Sequence, residues 1–218
     1  MKTTDIKKKF IEVQDSLTTT AQEFPWENQE AYVSWMAQTY EYATATTRIL
    51  ALTGAHFPMH QTSLATRFIQ HATEERGHDK LLVNDAKALG VDLHTLRLLP
   101  EAEAFHKSVY YWIYQGQTPV IMGWVLLLEG FAVRNGPGLH ERTEKRFGKK
   151  ATSFMRVHTQ EDPDHVDKAF EALNGFSSAE LERVAHGLEV YAKLYANVYT
   201  SITAAVASGE TKRTKIAA

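Results

Sequence analysis

Three stretches of the chain place titratable side chains where a helix would be expected to bury leucine. In "HATEERGHDK" (71–80), His71, Glu75 and His78 continue a three-four seam that runs through Leu64, Phe68, Leu82 and Leu89. On an α-helix Glu75 and His78 stand about 60° apart and one turn removed, so both can reach a single point. In "GWVLLLEGFAV" (123–133) the lone carboxylate Glu129 sits inside the most apolar segment. A buried carboxylate is costly unless it is neutralised, paired or bound to a cation, and few bases lie nearby, Arg134 being five positions on. In "HTQEDPDH" (158–165), His158, Asp162 and His165 follow an inward series begun by Phe147, Ala151 and Phe154. On a continuous helix these three fall within about 60° of one another, which is a metal-ligand spacing. Pro163 is expected to bend or restart that helix, with Asp162 at its N-cap.

Each stretch also has a bland reading. Residues 71–80 could form a solvated face or a hydrogen-bonded core histidine, Glu129 could pair with an arginine, and Asp162 could merely cap a helix between surface histidines. Their sum is more specific. Glu75, His78, Glu129, His158, Asp162 and His165 make three carboxylates and three imidazoles. Such ligands suit non-haem iron or manganese, and helical bundles build dinuclear sites from inward-facing residues of these types. Two divalent ions would carry a surplus positive charge over three carboxylates, as a site for dioxygen or an anionic substrate requires. A single zinc needs only about four ligands.

Composition narrows the alternatives. With no cysteine, disulfides, thiolate-bound metals and a cysteine nucleophile are excluded. A formal net charge of −2, from 24 basic and 26 acidic residues, gives no footprint of a nucleic-acid binder. "MKTTDIKKKF" lacks the apolar run of a secretion signal, so a cytoplasmic protein is expected. "PVIMGWVLLLEGFAV" (119–133) is shorter than a bilayer span and is interrupted by Glu129, so it reads as a buried core helix and no membrane partner is expected.

The elements that must position these residues read as helices throughout, in one all-α domain over 1–218. Leu181, Val184, Leu188, Tyr191, Tyr195 and Val198 step by three and four, and "SSAE" ahead of them offers a capping box of Ser177 and Glu180. Tyr32, Met36 and Tyr40 mark another helix. Seven or eight helices are expected, near 3–22, 27–53, 59–89, 100–115, 119–134, 139–159, 163–174 and 177–207. Turns fall in the glycine- and proline-bearing stretches at 54–60, 89–100, 134–139, 161–165 and 173–178. The tail from about 208 is expected to be loose. Tyr110, Tyr114, Trp124 and Trp35 could line a pocket or serve as ordinary core. Arg67, Lys80 and Arg134 could meet a substrate carboxylate or stay solvated.

"EERGHDKLLVNDAKALG", "LLLEGFA" and "HTQEDPDH" resemble, in order, the E-x-x-H, lone Glu and H-x3-D-x2-H motifs of the haem-oxygenase-like diiron oxidases and oxygenases, also described as iron-containing redox enzymes. The resemblance implies the all-α haem-oxygenase-like bundle and a non-haem diiron enzyme with two Fe ions, Mn being the alternative metal. Dioxygen would be co-substrate, the substrate a small amine, amino acid or fatty acid, and an external reductant is compatible. One iron would be held by Glu75 and His78 with a histidine of the third motif, the other through Glu129 and that motif's remaining ligands. Which of His158 and His165 serves which iron stays open, a carboxylate could bridge, and His71 and Glu74 stand as reserve ligands. Thiaminase-like relatives on this fold use a cysteine, which this chain lacks. True haem oxygenases take an axial histidine from their first helix, and residues 3–22 contain none. Ferritin-like diiron proteins need a second E-x-x-H, of which there is no good copy. The rival reading is a non-catalytic metal- or haem-binding bundle. A homodimer is compatible with the sequence but not specified by it.

Overall fold

The chain's helix starts are written in local chemistry. Asn28 accepts from the backbone N–H groups of Glu30 and Ala31, Pro100 and Pro119 occupy first turns, and Ser177 and Glu180 close the expected capping box. A computed structural model describes residues 1–212. Among them are eight α-helices: α1 (Thr3–Glu23), α2 (Gln29–His56), α3 (Thr62–Glu74), α4 (Asp79–Ala88), α5 (Pro100–Tyr114), α6 (Pro119–Phe147), α7 (Ser153–Ala172) and α8 (Ser178–Ser208). The described residues contain no strand beyond an isolated bridge between Leu96 and Lys212.

The apolar run predicted to be a core helix is the axis of the bundle. α6 packs against α8, α7 and α1, while α2 packs against α3, α5 and α4. One hydrophobic cluster extends from Ile6 to Ala205. α6 and α8 approach backbone to backbone, because a Cβ on Gly123 would lie 2.5 Å from the Val184 carbonyl and one on Gly187 would lie 2.2 Å from the Val120 carbonyl. None of the described helices is long and apolar enough to cross a membrane.

Four boundaries differ from the sequence expectation, each for a physical reason. The helix expected over 59–89 is two, α3 and α4, because Gly77 takes a φ of +97° that other residues rarely adopt. The turn expected at 134–139 is absent, and α6 runs through Pro137 to Phe147. Asn135, Leu139 and Thr143 continue its buried stripe, and that burial outweighs the hydrogen bond lost at the proline. The real break comes later, at Gly148 with φ +83°, inside the helix expected over 139–159. α7 is likewise continuous through Pro163, with Met155, Asp162, His165, Val166 and Ala169 all buried, so Asp162 is not an N-cap.

The start of the tail is also tied down. Arg97 donates its backbone N–H to the Thr211 carbonyl at 2.8 Å and pairs with Glu210 at 2.9 Å. Thr211 also bonds Glu30. The rest of the tail expected to be loose lies outside the described residues.

Candidate metal centre

The break between α3 and α4 shapes the site. Because the chain turns at 75–78, Glu75 and His78 project from a tight turn rather than from successive turns of a helix, and the His78 backbone N–H bonds the Glu75 carbonyl at 3.3 Å. Their side chains still converge, with His78 Nδ1 3.3 Å from Glu75 Oε2. Glu129 enters from α6, and His158, Asp162 and His165 enter from α7. α7 is held in place from outside by Asp85 of α4, whose carboxylate accepts from the backbone N–H groups of Ser153 at 3.0 Å and Phe154 at 2.9 Å, and from the Ser153 hydroxyl.

Five of the six residues singled out in the sequence, Glu75, His78, Glu129, His158 and Asp162, line one cavity together with His71, and His165 belongs to the same cluster. His71 Nε2 lies 2.8 Å from Glu129 Oε1 and 3.6 Å from Glu75 Oε1. His165 Nδ1 lies 3.8 Å from Glu129, 3.9 Å from Glu75 and 3.6 Å from Asp162. His158 Nδ1 faces Asp162 Oδ1 at 3.2 Å, and its ring meets that of His78 edge to face at 5.0 Å. Among the described residues, three overlapping groups have ligand atoms close enough to share an ion: His71, Glu129 and His165; Glu75, His78 and His158; Glu75, Asp162 and His165. Glu75 therefore stands between two clusters.

The reserve ligands part company. His71 is inside the cluster and buried. Glu74, the last residue of α3, turns outward to Arg67 at 3.0 Å and Lys168 at 3.7 Å, and lies 3.5 Å from His165 Nε2. It therefore faces the far side of an imidazole whose Nδ1 is turned toward Glu75, Glu129 and Asp162. Glu161 stands in the same relation to His78, 3.6 Å from Nε2. Outer carboxylates of this kind fix the tautomer and orientation of a ligating histidine. Neither outer carboxylate belongs to the ligand set that the geometry offers.

The residues fit a metal pair. Glu129 is 5% exposed, and neither of its oxygens has an aligned hydrogen-bond donor despite the proximity of His71. His78 Nδ1, His158 Nε2 and His165 Nδ1 are also buried without a hydrogen-bond partner. Native proteins rarely strand so many buried polar atoms in one place, and each orphan is normally claimed by an ion, a ligand or water. The electrostatics agree in direction. Burial lowers the His71 pKa, but Glu129 and Glu75 outweigh it and bring it up to about 10. Burial lowers His158 too, and Asp162, Glu75 and Glu161 raise it to about 9. Burial raises Glu75, but His71 and His78 hold it well below the ordinary carboxylate range. Burial dominates at Glu129, whose carboxyl is pushed up. The cluster thus attracts positive charge, protons where no cation is bound.

The cavity, the part lined by the cluster included, encloses about 860 Å³ with its open mouth, between α2, α6, α7 and α8. Trp35 and Trp124 line it as the sequence allowed, and Trp26, Phe131, Phe154 and Tyr195 join them. Tyr114 is 67% exposed on the surface and, like Tyr110, is no part of the wall. Arg67 and Arg134 are engaged outside, with Glu74 and Asp15.

Among solved structures, a domain of unknown function from Shewanella denitrificans OS217, described as having a heme oxygenase-like fold, is 18% identical, with a TM-score of 0.83 over 100% of this chain and 99% of that one. TenA homologues from Pseudomonas syringae pv. tomato DC3000 and Pyrococcus furiosus are 13% and 14% identical, with TM-scores of 0.73 and 0.74. Each covers 90% of this chain, which spans 92% and 98% of theirs. At such identities these relatives establish the haem-oxygenase-like fold and nothing more. No curated protein matches the sequence significantly. A family model described as iron-containing redox enzyme matches residues 33–196, a span that contains every residue of the cluster, and the chain belongs to that family.

Proposed function

We propose that this protein is a non-haem diiron oxidase or oxygenase that uses dioxygen to oxidise a small organic substrate. The observation that carries the reading is the convergence of seven ligand-type side chains, with stranded polar atoms, beside an apolar cavity. His71, Glu129 and His165 would hold one ion, and His78 and His158 the other. Glu75 belongs to groups on both sides and Asp162 adjoins His158 and His165, so these two carboxylates are the candidates for bridging. His71 thereby moves from reserve to ligand and Glu74 to an outer partner of His165.

Bound as Fe(II), the pair would supply the electrons that reduce dioxygen, chemistry that no side chain in the cavity supplies. The chain's own residues do the rest. With two divalent ions held there, the three carboxylates would leave a surplus positive charge that would draw an anionic or electron-rich group. Trp35, Trp124, Phe131 and Phe154 line the same cavity as the cluster and would give the substrate a largely apolar bed that excludes water. Glu74 and Glu161 orient His165 and His78 by facing their outer nitrogens.

The test is anaerobic loading with Fe(II), removal of unbound metal, and measurement of dioxygen uptake on mixing with air-saturated buffer. The proposal expects a burst of uptake in proportion to the protein, faster than Fe(II) oxidation in buffer and lost in Glu129→Ala and His158→Ala. Uptake no faster than free iron, or unchanged in both variants, would leave a binding protein in place of an oxidase.

A further inference from the structure

The cavity wall carries information about what it binds. Its carboxylates and imidazoles, Glu75, Glu129, Asp162, His71, His78 and His158, all belong to the metal-type cluster, and among the described residues no lysine or arginine lines it. The remaining polar groups are uncharged: the indole N–H groups of Trp35 and Trp124 have no hydrogen-bond partner, and the hydroxyls are engaged. Tyr195 and Tyr199 hydroxyls bond one another at 3.2 Å, Thr46 donates to the Tyr42 carbonyl at 2.9 Å, and Thr159 donates to the Met155 carbonyl at 2.7 Å. Charged groups that could have served a ligand are turned away: Arg67 and Lys168 meet Glu74, and Arg134 meets Asp15.

A ligand whose far end carried an ammonium or a guanidinium would leave that charge buried without a counter-charge, and a carboxylate there would find only neutral indole N–H donors, so each is penalised heavily. An amino acid, whose ammonium and carboxylate both need partners, would find a counter-charge for only one of them. An alkyl or aryl body gains instead, in proportion to the apolar area it removes from water. We infer that the substrate is a single-headed apolar molecule, its one polar or acidic group at the cluster and an uncharged hydrocarbon body along Trp35, Trp124, Phe131 and Leu139. This rests on the proposed metal-centred activity and narrows its substrate class.

Two probes differing in one group test it: octanoate and 8-aminooctanoate, with L-leucine as the zwitterion. Three of the chain's four tryptophans, Trp26, Trp35 and Trp124, line the cavity, so intrinsic fluorescence of the Fe(II)-loaded protein under anaerobic conditions reads occupancy. Octanoate is expected to change the emission saturably, with 8-aminooctanoate and leucine about 100-fold weaker or silent. Leu139 stands ten residues beyond Glu129 on α6, about 15 Å along the axis. Leu139→Glu places a carboxylate against the body and is expected to reverse the preference toward 8-aminooctanoate. The wild-type comparison decides by itself if that variant does not fold. Equal or tighter binding of 8-aminooctanoate or leucine overturns the inference, as does the absence of saturable octanoate binding at about 1 mM. Iron content is measured on the same samples. Iron uptake without the octanoate preference sinks this inference alone, and the preference without iron uptake sinks the oxidase reading while the cavity's selectivity stands.

Discussion

Replacing His71 and Glu129 together by leucine should stabilise the metal-free protein while removing much of its response to iron. The two side chains are buried, 2.8 Å apart, and neither Glu129 oxygen gains an aligned donor from the contact. Burying two charges is expensive and imperfect hydrogen bonding recovers little, so exchanging such a pair for packed hydrocarbon is commonly neutral or favourable by about 1–4 kcal/mol. With two stranded oxygens on one partner, we expect a gain of about 2 kcal/mol, or ~4–8 °C in Tm for a chain of this size. Iron acts in the opposite direction. A ligand at a hundred times its Kd stabilises the native state by about 2.7 kcal/mol, which is ~5–11 °C on the same scale. The double variant should keep at most half of the wild-type iron shift, having lost two ligands of one cluster. Thermal unfolding followed by far-ultraviolet circular dichroism, in chelator and then in anaerobic Fe(II), measures both quantities. A metal-free variant destabilised by about 2 kcal/mol or more, with an undiminished iron shift, would show that the pair is structural and refute the reasoning.

Three further outcomes follow from particular contacts. Gly187→Ala should cost at least about 2–3 kcal/mol, since its Cβ would meet the Val120 carbonyl and force α6 from α8; urea unfolding measures it, and a change under about 0.5 kcal/mol would contradict the close approach. Asp85→Ala should lose about 1–2 kcal/mol by uncapping α7, and it should weaken iron binding through His158 without touching a ligand, as a metal titration would detect. In the metal-free protein, His71 and His158 are raised to about 10 and about 9 from 6.5, so their stabilising charge is complete below pH 6.5 and lost as pH rises toward 9–10. The metal-free Tm should fall over that interval, and iron should flatten the fall because ligating imidazoles are already deprotonated.

The cluster of convergent side chains was legible in the sequence where composition conflicted with position. Glu129 stands out because nothing in "GWVLLLEGFAV" can partner it, and His158, Asp162 and His165 because their spacing puts them on one stripe of a helix. His71 was equally legible as part of the seam, four residues before Glu75, yet choosing it over Glu74 needed the tertiary structure. Both can face inward on a helix that ends at 74, and only the position of Arg67 and Lys168 draws Glu74 outward. Element boundaries were less legible for one recurring reason. Pro137 and Pro163 are local breakers whose cost is overridden by buried stripes on α6 and α7, whereas Gly77 and Gly148 end helices by adopting positive φ. A residue's intrinsic preference is visible in sequence, and the packing that overrides it is not. The turn at Gly77 also shows a right convergence reached by another route, since Glu75 and His78 meet across a break and not along a helix.

Counting the ions tests the central claim most directly. Wild-type protein, His71→Ala and His78→Ala would each be equilibrated anaerobically with Fe(II), dialysed, and analysed for iron per folded chain. The account predicts about two irons in the wild type and about one in each variant, because His71 and His78 belong to different clusters. One iron or none in the wild type, or an unchanged content in both variants, would contradict it.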